Sequence, residues 1–408
     1  MRSFALSMII ASAVTWAAPS ALGQQPRYSD NVIRIGVLND RSGPFSSATG
    51  EGSAVAARLA AEDFNGNING VPIEIVVGDH LGKADVGALI ARRWLDLEQV
   101  DAIADVGNSA VGLAVNKLIT ERKRVLLNTS AALDFTGKAC SPFAAQWNYN
   151  SFASTNAIVT ALLESGQNDT WFIIAPDFAF GQSQAAEVRR LVEAKGGKIV
   201  GSVFHPLGGS DFSSYLLQAQ SSGAKVIAVG SVANDLVNMI KQSHEFAIGG
   251  TGSAQKLIVV PAVNLPEIEA LGLEVVQDLL FLSTFEWNRT PESRSWTERF
   301  VAKMGRLPAQ NQASVYSAVR HFLQAAKEAN SDNAEIVSAR MRQMPIRDAF
   351  ADDGELRADG QMVHDLFIVQ AKKPSEMQEK GDYFRLVRKV AGKTVFQPLY
   401  QGPCTGGQ

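Results

Sequence analysis

Residues able to do chemistry gather where strands end and helices begin. Residues 32–38 form a β-branched strand that runs into Asn39-Asp40-Arg41-Ser42-Gly43-Pro44, a polar turn that cannot continue it. Gly50-Glu51-Gly52-Ser53 then opens an alanine-rich helix bearing Arg58, Glu62 and Asp63. A strand, loop and helix N-terminus in that order leave free backbone N–H groups where a small anion can rest. The same step recurs at Gly107-Asn108-Ser109, and Asn128-Thr129-Ser130 closes the next strand. Helix N-termini offer oriented donors and a favourable dipole, while Asn or Ser there also serves as an ordinary N-cap.

Covalent and metal chemistry find no comparable pattern. The run from Gly107 to Gly112 has the wrong spacing for a G-x-S-x-G nucleophile elbow. His80, His205, His244, His321 and His364 show no metal-ligand spacing, and no His/Cys cluster exists. No P-loop or dinucleotide fingerprint follows a strand. The sequence thus predicts no enzyme, no metal and no cofactor.

The elements that must position these loops alternate regularly. Strands are expected at 32–38, 73–78, 102–106 and 125–128, with helices at 54–63, 86–97 and 110–120. The rhythm repeats with strands at 171–175, 199–204, 226–229 and 257–260 and helices at 182–194, 212–221 and 235–246. Two runs of βαβ units predict an α/β protein of two parallel-sheet domains, each with helices on both faces. A third section breaks this count. It carries a strand at 279–285, helices at 291–304 and 315–329, turns at Asp352-Asp353-Gly354 and Asp359-Gly360, and a final strand at 366–370.

The N-terminus reads as a secretory signal. Arg2 precedes an apolar run over 4–18, too short for a stable membrane anchor, and Ala21-Leu22-Gly23 supplies the small residues of a cleavage site. A signal peptide over 1–23 is expected, and with it a periplasmic location. About 380 residues remain, too many for one ordinary core and suited to two domains. The net charge of −3 carries no basic stripe, which excludes nucleic acid as a partner. Cys140 and Cys404 enter an oxidising space, where a disulfide between them would tie the chain's end to its middle. The alternative is two unpaired thiols.

Ile35-Gly36 and Ser42-Gly43, with the glycine-opened helix after them, resemble the opening of periplasmic solute-binding proteins of the leucine/isoleucine/valine type. Further segments match one branch of that family: TGKACSPFAAQWNYNSFA (136–153), APDFAFGQS (175–183), HPLGGSDFSSYLLQAQSSGAKVIAV (205–229), NDLVNMIKQ (234–242), FEWNRTPESRSWTERF (285–300) and DGQMVHDLFIVQAKKPSE (359–376). Together they span almost the whole mature chain. The resemblance implies a type I periplasmic-binding fold, two doubly wound parallel-sheet lobes joined by a three-segment hinge. It assigns 31–148 and 284–352 to lobe 1, 149–283 and 353–400 to lobe 2, and 401–408 to a tail. Open α/β sheets bind ligands beyond the carboxyl ends of their strands, so the cleft between the lobes is the expected site.

Site roles follow from the same resemblance, position by position. Asn108 and Ser109 match the loop that holds a ligand carboxylate, and Asn128, Thr129 and Ser130 match its second holding segment. Trp147 and Tyr149 lie near the first crossover and Phe178 and Phe180 after a strand end, where they either box an apolar or aromatic ligand or pack the core and hinge. Phe180 matches the place where amino-acid binders often carry tyrosine. The far lobe offers Ser231, Asn234, Asp235 and Asn264, and Asp235 is the candidate ammonium partner. Pro261-Ala262-Val263-Asn264 lacks the acidic residue the family often places there, which turns the expectation towards an acid without an amine. The resemblance implies the solute-binding component of an ABC importer of the branched-chain amino acid class. This monomer would hand a small carboxylate to a membrane permease. Its ligand would be an aromatic or aliphatic organic acid, or a branched-chain amino acid. A sensor subunit for a receptor or chemotaxis system, or an amide or urea binder, is the alternative.

Overall fold

In the computed structural model the described residues are 28–400, apart from 165, 167–169, 250–252 and 254, together with 402–405. The expected signal peptide lies outside them, as does half of the 401–408 tail. The first sheet comprises β1 (Ile33–Asn39), β2 (Asn67–Ile68), β3 (Val71–Asp79), β4 (Ala102–Asp105), β5 (Val125–Asn128) and β6 (Ala144–Gln146). Its order is β2-β3-β1-β4-β5-β6, parallel apart from the β2–β3 pair. Helices α1 (Gly50–Glu62), α2 (Ala84–Asp96) and α3 (Ser109–Arg122) connect these strands. Register aligns their carboxyl ends, because Leu38 pairs with Asp105, Asp105 with Asn128 and Asn128 with Gln146. The loops after β1, β4 and β5 therefore emerge side by side.

After the crossing at 147–150 comes α4 (Ser151–Glu164), and a second sheet forms. It comprises β7 (Thr170–Pro176), β8 (Lys198–His205), β9 (Val226–Val229) and β10 (Lys256–Val259), in the all-parallel order β10-β9-β7-β8. Between and after them run α5 (Ala179–Ala194), α6 (Ser213–Ser221), α7 (Ala233–Glu245), α8 (Leu265–Leu271) and α9 (Leu273–Val276). Beyond β11 (Leu280–Ser283), the chain builds α10 (Pro291–Met304), α11 (Gln310–Ala329) and α12 (Ala334–Gln343). Both α10 and α11 pack on α1, so this section returns to the first sheet. The rest comprises β12 (Glu355–Leu356), β13 (Met362–Val363), β14 (Leu366–Ala371), β15 (Phe384–Val390) and α13 (Gly392–Val395). The architecture is that of two doubly wound parallel sheets joined by three chain segments.

Several features depart from the sequence expectation, α12 and β6 among them. β11, β14 and β15 form an antiparallel sheet, so the strand at 366–370 is not the last. Helix α4 stands where no element was expected, because Ser, Thr and β-branched residues dilute its helical signal while tertiary packing buries most of it. The short α8, with Pro266 in its first turn, was likewise not anticipated. Cys140 and Cys404 are disulfide-bonded, with Cα atoms 6.1 Å apart.

Candidate ligand-binding cleft

Loops from both parallel sheets wall one concave cavity, the usual form of a small-molecule site. On the first sheet's side, Asp40 folds the loop after β1 by accepting the Gly43 (2.7 Å) and Phe45 (3.0 Å) N–H groups. This brings Phe45 and Ala48 to the cavity wall. At the end of β4 the backbone turns through Asp105 (φ 77°) and Val106 (φ 55°), both left-handed. A β-branched residue there is a genuine outlier, and such strain concentrates at ligand clamps. The turn carries Gly107 and Ser109 to the wall.

Asn108 is the N-cap of α3, its Oδ1 accepting the Ala110 (3.0 Å) and Val111 (3.2 Å) N–H groups. Its side chain is therefore used within the helix end, while Ser109 at the first helical position lines the cavity. The Ser109 hydroxyl has no partner among the described residues. A helix N-terminus carrying a free hydroxyl is a natural seat for an anion.

Thr129 and Ser130 also line the cavity, but their hydroxyl protons point inward. Thr129 Oγ1 donates to Asp105 Oδ1 (2.7 Å), and Ser130 Oγ donates to Asn128 Oδ1 (2.7 Å). Asn128 itself is fully buried and braces the loop, its Nδ2 donating to the Ser130 carbonyl (3.2 Å). Asp105 is buried beneath, and burial pushes its carboxyl up to about 6, against hydrogen bonds from Thr129 and Asn39. Towards the ligand, both hydroxyls thus present lone pairs.

The aromatic candidates divide. Tyr149, Phe178 and Phe180 line the cavity, Phe180 lying 6.5 Å from the Tyr149 ring centre and 5.9 Å from that of Phe178. Trp147 is fully buried and donates from Nε1 to Ser317 Oγ (2.9 Å), which fixes it in packing against α11. Tyr149 has its hydroxyl shifted upward by burial and by the charge of Glu267, against the Ala262 N–H.

The far side divides as well. Asn264 lines the cavity as N-cap of α8. Ser231 bonds to His205 Nε2 (2.8 Å), and Asp235 accepts the Gly208 N–H with both oxygens (3.1 Å each). Asp235 is buried, 3.8 Å from His205 Nδ1, and burial raises its carboxyl against the Gly208 N–H and His205. Asn234 is exposed on α7. None of these three lines the cavity.

The acid that does line it is Glu267, which sequence reasoning passed over. Its signal was legible, since Asn264-x-x-Glu267 with Pro266 between them is a capping-box pattern. Ala233, left-handed at φ 54°, and Asn311, from the start of α11, complete the wall.

This geometry can hold a small solute between two lobes, and comparison with known proteins agrees. Residues 32–380 match the family model described as periplasmic binding protein. The chain belongs to the periplasmic binding protein family. A Leu/Ile/Val-binding protein homolog 7 from Brucella suis biovar 1 is 23% identical over 368 residues, covering 85% of this chain and 87% of the relative. A periplasmic binding protein from Burkholderia mallei is 37% identical with TM-score 0.85, covering 90% of this chain and 96% of that one. A branched chain amino acid ABC transporter periplasmic ligand-binding protein from Burkholderia xenovorans LB400 is also 37% identical, with TM-score 0.80 and coverage of 90% and 97%. As a member of this family the chain is a solute-binding protein of the branched-chain amino acid ABC transporter class. Among the described residues no helix is long and apolar enough to cross a membrane.

Proposed function

We propose that the protein is exported after cleavage near Gly23 and captures a small carboxylate for an ABC importer. One observation carries the reading. The cavity is built from the strand ends of two parallel sheets and lined, among the described residues, by no lysine, arginine or histidine, with the N-terminus of α3 and the free Ser109 hydroxyl among its donors. A carboxylate at that helix end gains oriented N–H groups and the helix dipole. Thr129, Ser130, Tyr149, Phe178, Phe180 and Asn264 surround the rest of the ligand. Its body is apolar or aromatic, matching the ring faces on one wall. A ligand held by both lobes favours the closed state, which a membrane permease then recognises in the monomer.

A thermal-shift series on the ligand-stripped mature chain tests this. Branched-chain amino acids, benzoate- and phenylacetate-type acids, aliphatic dicarboxylates and short amides make up the panel. Ligand at a hundred times its dissociation constant adds about 2.7 kcal/mol of stability, a clear rise in melting temperature. At least one monocarboxylate is expected to give it. A response to amides alone, or to none of the panel, would sink the reading.

A further inference from the structure

Glu267 occupies the third position of α8 and is 3% exposed on the cavity wall. Its Oε1 accepts the Ala233 N–H (3.1 Å) and Asn264 Nδ2 (3.2 Å), and its Oε2 accepts the Asn264 N–H (2.7 Å). Among the described residues no lysine, arginine or histidine pairs with it. Both oxygens accept N–H groups, so a glutamine would turn its amide against one of those donors, yet the three bonds bring no opposite charge to the carboxylate. Buried carboxylates ordinarily have an opposite charge or donors for all their lone pairs, and three donors leave this one room for another. Burial pushes its carboxyl up to about 7.

Apart from the Tyr149 hydroxyl and the Asn311 amide, the side chains around Glu267 also face the cavity as acceptors. Thr129 and Ser130 have committed their protons to Asp105 and Asn128, so they offer lone pairs. Asn264 Oδ1 is buried and has no partner among the described residues. Donors therefore lie at the start of α3, at Tyr149 and at Asn311, while Thr129, Ser130, Asn264 and Glu267 offer acceptors. A purely hydrocarbon end would leave these acceptors unsatisfied, and a second anion would meet the charge of Glu267.

We propose that Glu267 determines specificity by accepting a hydrogen bond from the ligand. On the carboxylate reading above, the ligand then carries an ammonium or hydroxyl group as well as its carboxylate. Acids bearing a second anion in that place are rejected.

Matched acids differing only in this group provide the test, by calorimetric titration of the ligand-stripped mature chain. Leucine and 2-hydroxy-4-methylpentanoate are each compared with 4-methylpentanoate, which has no second donor. Likewise 4-hydroxybenzoate is compared with benzoate and with terephthalate. In at least one series the donor-bearing acid should bind ten times more tightly or better than its plain parent, and terephthalate should not bind. The arm that wins separates ammonium from hydroxyl. E267Q should shrink that preference to within about threefold.

Equal binding of donor-bearing and plain acids by the natural protein, or a preference that survives E267Q, overturns the inference and leaves carboxylate capture standing. Binding of no acid removes both. Should E267Q fail to fold, the comparison in the natural protein still decides.

Discussion

Asp105 lies beneath the cleft and decides which way the Thr129 hydroxyl points. The triplet Asn128-Thr129-Ser130 was legible as a polar strand end, but not the direction of its protons, because Asp105 and Asn128 are brought to them only by the register of β4 and β5. The same limit made Asp235 look like the far-lobe acid, when the chain turns it towards Gly208 and His205 instead. Buried carboxyls also set a pH dependence. Burial pushes Asp101, Glu267 and Glu286 up to about 7, and Asp105 up to about 6. A carboxyl that titrates higher when folded contributes stability that is complete below its unfolded value and lost as pH rises through its folded value. Buried histidines act oppositely, since burial holds His364 down to about 4 and lowers His80 and His321. Their loss sets in only as pH falls below the ordinary histidine value, so from about pH 6.5 to 7.5 the carboxyls act unopposed. Melting temperature should fall over that window, each group contributing at most about 1.4 kcal/mol per pH unit. Glu286→Gln should flatten the slope. Melting curves in a pH series read both, and a flat profile in the natural protein would contradict the assignment.

At the scale of elements, strand ends and helix starts were readable where β-branched runs and polar turns alternate. The expected strands at 125–128 and 226–229 and the helix at 291–304 match β5, β9 and α10. Elements stabilised by context were not readable. Strand β15 exposes Leu386 and Val387 between basic residues, so its pattern resembles a solvated loop until β14 pairs with it. The first turn of α3 shows how an element positions the site. A Cβ on Gly112 would lie 2.8 Å from the Phe135 ring and 3.0 Å from Ser130 Oγ, so glycine is what lets the helix end approach that loop. Overpacking here should displace Ser109 relative to Ser130. Gly112→Val is expected to destabilise the protein by about 1–3 kcal/mol. It should also weaken ligand binding more than a comparably destabilising change such as Leu216→Ala beneath α6, away from the cleft. Denaturation and titration of both variants measure the difference, and equal losses of affinity would count against the positioning role of Gly112.

For the molecule as a whole, two parallel-sheet domains followed from counting βαβ units and the cleft between lobes from the family resemblance. The expected Cys140–Cys404 bridge is present, but its path was not readable. Two cysteines permitted a bridge without measuring their separation, and only the folded path brings Cys404 to Cys140. Gln397 reinforces that path, its Nε2 donating to Thr136 Oγ1 (3.0 Å) and its Oε1 accepting Asn150 Nδ2 (2.8 Å). Arg357 Nη1 donates to the Gln397 carbonyl (2.6 Å). Cys140 and Thr136 belong to the connection between β5 and β6 of the first sheet. The terminal segment arrives from β15, which pairs with β14 on the side of the second sheet. A covalent attachment there is expected to add a link between the two sides beyond the chain crossings and to restrain how far they separate. Removing it acts on both states of the chain. The unfolded chain gains freedom when a loop of 264 residues opens, so Cys140→Ser with Cys404→Ser should cost about 2–4 kcal/mol. The folded protein gains access to wider open forms, so a ligand must draw the equilibrium further to reach closure, and its apparent affinity falls with the closed fraction. Small-angle scattering of the ligand-free double variant should give a larger radius of gyration than the disulfide-bonded protein, with convergence of the two once ligand is bound. If the stability loss appears without any change in radius or affinity, the bridge constrains only the unfolded chain.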